Sequence, residues 1–349
     1  MTNRSVRHSG RNQAMECCKF IASFFVIFNH ASFPGTLGSI LNCLCSFAVP
    51  TFFMISGYFN YQASPEQIVR RAKHIVKLLL LGTLLHLLWG CISTELSGGS
   101  TIAYLRAAIP DPDEIMKWII LHIHPYAGHY WYLNALIACY SVFYVFTVFS
   151  GKERTSYKAF YSLCFYLLTI TFAFDTIAAA AGNSTTGLVA RTGWFVGLPM
   201  FGIGLFIREY QERIFSAFHP GTAKLCLVIC FGAALTILQW SCAEIGVIPF
   251  GTLIGVVALM LLLVSHPVMI SKPGVLSRLV LELGPLSTWI YLIHLVFVLF
   301  YNEVLHEPCT ALWGAREPYL FPIVVAVISL IAAIVCNALS HVCKRFSRK

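Results

Sequence analysis

The sequence predicts an all-α fold, a helical bundle that crosses a membrane about ten times with both termini in the cytoplasm. Three observations carry this reading. The chain is 58% hydrophobic and 11% charged, with a mean hydropathy of +0.74, whereas an ordinary soluble domain is about 25% charged. The apolar residues gather in runs of about 20, the length that spans a bilayer. The basic residues cluster in alternate connections between those runs.

The first span is expected near 14–34 and contains "KFIASFFVIFNH", Lys19 to His30. With Arg4, Arg7 and Arg11 ahead of it the run has the outline of a signal peptide. Glu16 and Lys19 interrupt it, however, and "HASFPG" is no small-residue cleavage site, so it reads as an uncleaved span. Eleven helical steps return to within about 20° of the start, so Lys19 and His30 share one face, about 16 Å apart. Glu16, Ser23 and Ile27 lie on that face too. Ionisable residues in a span usually line a cavity. Snorkelling for Lys19 and a bond to a neighbouring helix for His30 are the structural alternatives.

The second span, near 41–62, holds "VPTFFMISGYF", with Pro50 expected to kink it and Ser56, Gly57 and Tyr58 at its inner end. Arg70, Arg71 and Lys73 precede or open the third, near 73–93. The polar stretch Ser93–His129 then reads as an outer loop containing "PDPDEI", His122 and His124. Those histidines with Asp111 and Asp113 have no spacing that fixes a metal, and none is expected. The fourth span, near 129–150, opens with "HYWYLNALI". A fifth, near 157–179, carries Asp175 toward its outer end. The sixth, near 190–208, contains "PMFGIGLFI" and a second kinking proline, Pro199. Spans near 222–241 and 246–266 follow. The ninth, near 283–304, holds "LGPLSTWIYLIH", with Tyr291 and His294, and the tenth lies near 318–343.

An even count puts both termini on one side, and charge decides which. One set of segments holds Arg4, Arg7, Arg11 and Lys19; Arg70, Arg71, Lys73 and Lys77; Lys152, Arg154 and Lys158; Arg208, Arg213 and Lys224; Lys272 and Arg278; and Lys344, Arg345, Arg348 and Lys349. The other set holds four of the 24 basic residues, Arg106, Lys117, Arg191 and Arg316. This is a positive-inside pattern with cytoplasmic termini. Glu95, Glu303, Glu307 and Glu317 then face outside.

Residues 1–349 read as a single membrane domain without internal repeats. The net charge of +9 does not indicate nucleic acid, because the basic residues sit beside apolar runs. Most of the 13 cysteines lie within those runs as small hydrophobes. Cys91, Cys242 and Cys309 fall at or outside span ends, where oxidation depends on the compartment.

Taken in order, these motifs resemble the acyltransferase-3 family of bacterial membrane acyltransferases along the whole chain. That family has a basic residue, ten residues, then histidine in its first span, with an acidic residue three positions before the basic one. Glu16 occupies that place here, where Asp is usual. The "VPTFFMISGYF", "HYWYLNALI" and "LGPLSTWIYLIH" segments are similar to its further motifs. The resemblance implies an acyl-CoA donor, typically acetyl-CoA, on the cytoplasmic side. It implies a hydroxyl acceptor on a cell-surface glycan or its lipid-linked precursor on the outer side, and so a place in the inner (cytoplasmic) membrane.

Such a transfer needs a base for the acceptor proton and a stabiliser for the tetrahedral oxyanion. His30 suits the base, since histidine has an unperturbed pKa near 6.5; direct deprotonation and an acyl relay both remain open. His129, at a similar depth, is the second catalytic candidate, with an interfacial structural role as its alternative. The CoA phosphates point to Lys19, Arg70, Arg71 and Lys73, with ordinary topology anchoring as the equal alternative for the last three. Where the family commonly has Arg-x-x-Arg, this chain has Arg70-x-x-Lys73, which loses bidentate binding at Lys73. Ser56 and Tyr58 are donor-channel candidates, with packing through Gly57 as the competitor. Glu16, Ser23, Trp131, Tyr291 and His294 complete the expected channel, with the interfacial aromatic belt as the alternative for Trp131 and inter-helix bonding as that for His294. A glycan exporter is the rival reading, but no inverted repeat supports it.

Overall fold

The computed structural model describes residues 12–149, 154–181, 192–242, 248–266 and 275–346. Arg4, Arg7, Arg11, Lys152, Arg191, Lys272, Arg348 and Lys349 lie outside the described residues, as do the side chains of Arg154, Asp175, Cys242, Arg278, Lys344 and Arg345. Every regular element among the described residues is helical. Among the described residues six stretches are helical, long and apolar enough to cross a membrane: Gly35–Asn60, Pro65–Leu96, Gly128–Phe149, Tyr157–Phe174, Thr222–Ser241 and Glu282–Cys343. Phe250–Ser265 is apolar but shorter. The first span expected from sequence is not among the six. Its polar residues, Glu16 and Lys19 at one end and Asn29 and His30 at the other, dilute its apolar centre.

Helix α1 (Gln13–His30) starts where the Asn12 side chain accepts from the Ala14 N–H. Two helices, α2 (Gly35–Cys45) and α3 (Ala48–Asn60), replace the expected continuous second span. The break falls at Ser46–Phe47, so Pro50 sits in the first turn of α3 rather than mid-helix. A proline is tolerated there because the first-turn N–H groups have no intrahelical acceptor. α4 (Pro65–Leu96) opens with a capping box formed by Ser64 and Gln67. The stretch expected to be an outer loop contains two capped helices, α5 (Thr101–Ala107) and α6 (Pro112–Leu121). "PDPDEI" is the start of α6: Asp111 caps it, and Asp113 pairs with Lys117.

A 3₁₀ turn (Gly128–Tyr130) leads into α7 (Trp131–Phe149), followed by α8 (Arg154–Ala181). A π turn (Gly193–Gly197) leads into α9 (Leu198–Phe218), whose second residue is Pro199, so this proline also begins a helix instead of kinking one. The chain continues through α10 (Thr222–Cys242), α11 (Phe250–Ser265), α12 (Val275–Phe300), α13 (His306–Trp313) and α14 (Glu317–Phe346). The prolines inside helices are Pro285 and Pro322.

α12 packs against α1, α4 and α14, and α4 packs against α7. α3 and α9 approach through paired glycines. A Cβ on Gly57 would overlap the Phe201 carbonyl, and one on Gly204 the Met54 carbonyl. Gly57 thus sets a close backbone approach. These contacts bring the C-terminal end of α1, the start of α7 and the middle of α4 and α12 to one place in the bundle.

Candidate active site

Four histidines from four elements converge there. His30 ends α1, His129 lies in the 3₁₀ turn before α7, His86 is in α4 and His294 in α12. Ring centroids are 6.1 Å apart for His30–His129, 5.4 Å for His30–His294, 4.9 Å for His129–His294 and 5.3 Å for His86–His129. His86, His129 and His294 are buried, and His30 is half-buried.

Local hydrogen bonds fix which ring edges face the cluster. His294 Nδ1 lies 2.8 Å from the Tyr291 carbonyl and 3.2 Å from the Ile290 carbonyl. Carbonyls only accept, so Nδ1 carries the proton and Nε2 holds the lone pair. The Tyr130 hydroxyl donates to the Leu292 carbonyl at 2.8 Å and lies 3.1 Å from His86 Nδ1. Its one proton is committed, so His86 Nδ1–H donates to the Tyr130 oxygen and to the Gly82 carbonyl at 3.2 Å. His86 Nε2 and His294 Nε2 therefore present lone pairs. Both nitrogens of His129 are buried without a hydrogen-bond partner, as are these two Nε2 atoms. An unpaired buried polar atom costs about 1–3 kcal/mol. Four such nitrogens in one cluster favour a ligand-handling site over a purely structural one.

A cavity of about 440 Å³ opens beside this cluster. His30, His129, Tyr132, Tyr291 and Trp131 line it, with Asn29 and Asn42 as amide groups and Trp240 as a second indole. The Tyr291 hydroxyl donates to the His129 carbonyl and anchors the 3₁₀ turn. His294 and His86 stand behind the lining, against His30 and His129.

The other expected residues lie elsewhere. Lys19 pairs with Glu16 at 2.8 Å, and Glu16 is buried against Gly284 of α12. Ser23 is buried and donates to the Phe20 carbonyl. None of the three meets His30. Tyr58 accepts from Arg208 at 3.1 Å and donates to Gln211 at 3.1 Å, with the Arg208 guanidinium 5.1 Å from its ring. Ser56 lies between the hydroxyls of Tyr132 and Tyr140.

The basic cluster splits in two. Arg71 turns inward and donates to the Phe59 carbonyl at 2.8 Å and Asn60 Oδ1 at 2.7 Å. Arg70 and Lys73 are exposed and line an outer groove of about 680 Å³ with Lys77 and Tyr144. On α4 the buried face carries Ile68, Leu79, Gly82 and His86. Lys73 and Lys77 are rotated about 140° and 180° from Ile68, so this groove faces away from the histidines.

His122 and His124 hold backbone rather than a metal. His122 Nδ1 accepts the Gly193 N–H at 3.2 Å. His124 Nδ1 accepts from Tyr126 and Ala127 at 3.3 Å each, and its Nε2 lies 3.0 Å from the Thr83 hydroxyl. Burial pushes both imidazoles down to about 4. Among the described residues no group of three or more His, Cys, Asp or Glu is placed to hold a metal ion.

Sequence reasoning missed His86 and Gly82. A signal for His86 was present, a lone ionisable residue within "LLLLGTLLHLLWG". No curated protein and no solved structure matches the chain. Residues 12–341 match a family model described as an acyltransferase domain.

Proposed function

The chain belongs to that acyltransferase domain family, and from this premise we propose an O-acyl transfer from cytoplasmic acyl-CoA, most simply acetyl-CoA, to a hydroxyl of a cell-surface glycan or its lipid-linked precursor. The chain is a multi-pass membrane protein, and the proposal places it in the inner membrane with both termini inside. The observation that carries the reading is His30. It lines the 440 Å³ cavity and is backed by His294 and His129.

In this reading the acceptor hydroxyl enters the cavity, where Trp131 and Trp240 offer flat apolar faces and Asn29 and Asn42 offer amides to a sugar. His30 takes the hydroxyl proton as the oxygen attacks the thioester carbonyl. A His129 N–H without a protein partner is available to the oxyanion. As the C–O bond forms and the C–S bond breaks, the proton passes from His30 to the departing thiolate. His294 packs against the His30 ring, centroids 5.4 Å apart, and limits its rotation. A relay in which His30 first carries the acyl group uses the same residues.

The donor approaches from the opposite end of α3, past Arg208, Tyr58 and Arg71. From Arg71 the side chains of Asn60, Tyr140, Ser56, Tyr132 and Tyr291 form a polar succession that reaches His129. This route replaces Arg70 and Lys73 with Arg71 and Arg208 as phosphate contacts. An export function is not favoured, because the cavity ends against buried histidines.

Mass spectrometry of surface glycans from cells with and without the protein tests the reading. A difference of one acyl group is the expected result, and identical glycans from cells whose membranes hold the folded protein would overturn it.

A further inference from the structure

The outer groove has a different character from the histidine cavity. Its lining side chains come from Pro65 to Lys77 of α4 and from Tyr144 of α7. Arg70, Lys73 and Lys77 recur at three- and four-residue spacing, which stacks them on one helix face. All three are exposed, and no carboxylate among the described residues forms an ion pair with them. Glu66 lines the groove but accepts a hydrogen bond from Ser64 at 2.6 Å.

The same face then changes chemistry. Beyond Lys77 the next residues along it are Leu80, Leu84 and Leu88, which are 62%, 52% and 50% exposed. A cationic pocket thus runs directly into an exposed leucine row along a membrane-capable helix. The face opposite, with Gly82 and His86, is the one that serves the histidine cluster.

We propose that this groove binds an anionic glycerophospholipid, its phosphate held by Arg70, Lys73 and Lys77 and its acyl chains lying along Leu80, Leu84 and Leu88. Charge complementarity selects the headgroup, and the continuous apolar row selects a lipid over a soluble phosphate. A soluble phosphate ligand such as CoA would use the cations alone and make no use of the leucine row. Basic residues at a membrane surface attract anionic lipid by an amount equivalent to about fivefold in affinity each.

The test is native mass spectrometry of the full-length protein released from mixed micelles holding equal phosphatidylglycerol and phosphatidylcholine. The wild type should retain phosphatidylglycerol preferentially. Lys73→Gln and Lys77→Gln should each lower that retention about fivefold, and the triple Arg70→Gln/Lys73→Gln/Lys77→Gln should reduce it to the phosphatidylcholine level. Lys117→Gln, which removes one charge from the α6 surface, should leave it unchanged. The single variants keep the test valid if the triple does not fold. Equal retention of the two lipids by the wild type would overturn the proposal, as would undiminished retention in both single variants. Displacement of the retained phosphatidylglycerol by CoA alone would overturn it too, and would return the groove to the donor.

Discussion

Gly82→Ala puts one methyl group into the wall of the candidate active site. A Cβ at Gly82 would overlap the Tyr130 phenol and sit 2.9 Å from Leu292 Cδ1. Tyr130 has no exposed surface, so its ring has little room to withdraw. Overpacking of this kind costs about 1–3 kcal/mol. Moving the phenol also breaks its bonds to the Leu292 carbonyl and to His86 Nδ1, which leaves buried polar atoms unpaired at about 1–3 kcal/mol. The combined loss is on the order of 2–6 kcal/mol. Tyr130 directly follows His129, so the same shift moves the turn that carries this candidate residue, and a displacement of about 1 Å costs on the order of 10²-fold in turnover. The assay is a thermal melt together with acetyl transfer, extended to a double-mutant cycle with Tyr130→Phe. The phenyl ring of that variant has no tether to Leu292 and can pivot. Tyr130→Phe should therefore cost less in the Gly82→Ala background than in the wild type, with coupling of about 0.5–3 kcal/mol. Wild-type melting and turnover in Gly82→Ala, or strictly additive effects, would refute the reasoning.

The inward and outward arginines should separate kinetically. Arg71→Gln should raise KM for acyl-CoA several-fold, whereas Arg70→Gln/Lys73→Gln should leave it near the wild-type value; steady-state kinetics with varied acyl-CoA decides between them, and the reverse pattern would return donor binding to the outer groove. Acid should destabilise the segment around α6. His122 and His124 titrate at about 4 in the folded chain but near 6.5 when unfolded. Above pH 6.5 both are neutral in either state. As pH falls from 6.5 toward 4 the unfolded chain alone takes up protons, and stability drops by on the order of 1–3 kcal/mol per histidine. His124→Gln should flatten that part of the pH–stability curve, and an unchanged curve in the variant would remove His124 from the account.

The sequence displays the chemistry of this site better than its architecture. His30, His129, Tyr291 and His294 stand out because each places a polar ring within or at the edge of an apolar run. Their convergence is not visible there, since it depends on how α1, α4, α7 and α12 pack. His86 is hard to single out because its signal is one residue in a leucine-rich helix with no motif around it. Arg70 and Arg71 look equivalent as neighbours in a chain. On a helix they differ by about 100°, which sends one to the outer groove and the other to Asn60. The break between α2 and α3 is hidden by a nearly unbroken apolar stretch from Ile40 to Phe59. Pro50 and Pro199 look like kinks only if their helices begin earlier than they do. The stretch from Ser93 to His129 looks like loop because its helices are short, although Asp111 and Glu114 spell a capping box.

The central claim is that His30 removes the acceptor proton or relays the acyl group. His30→Gln keeps hydrogen-bonding capacity but lacks an imidazole. The decisive measurement is transfer of label from radiolabelled acetyl-CoA to the glycan fraction of host membranes by purified His30→Gln, with its melting temperature recorded alongside. General-base catalysis contributes about 10²–10⁴-fold, so the account predicts turnover reduced by at least about 10²-fold in a protein that melts near the wild-type temperature. Near-normal transfer by a normally folded His30→Gln would contradict it.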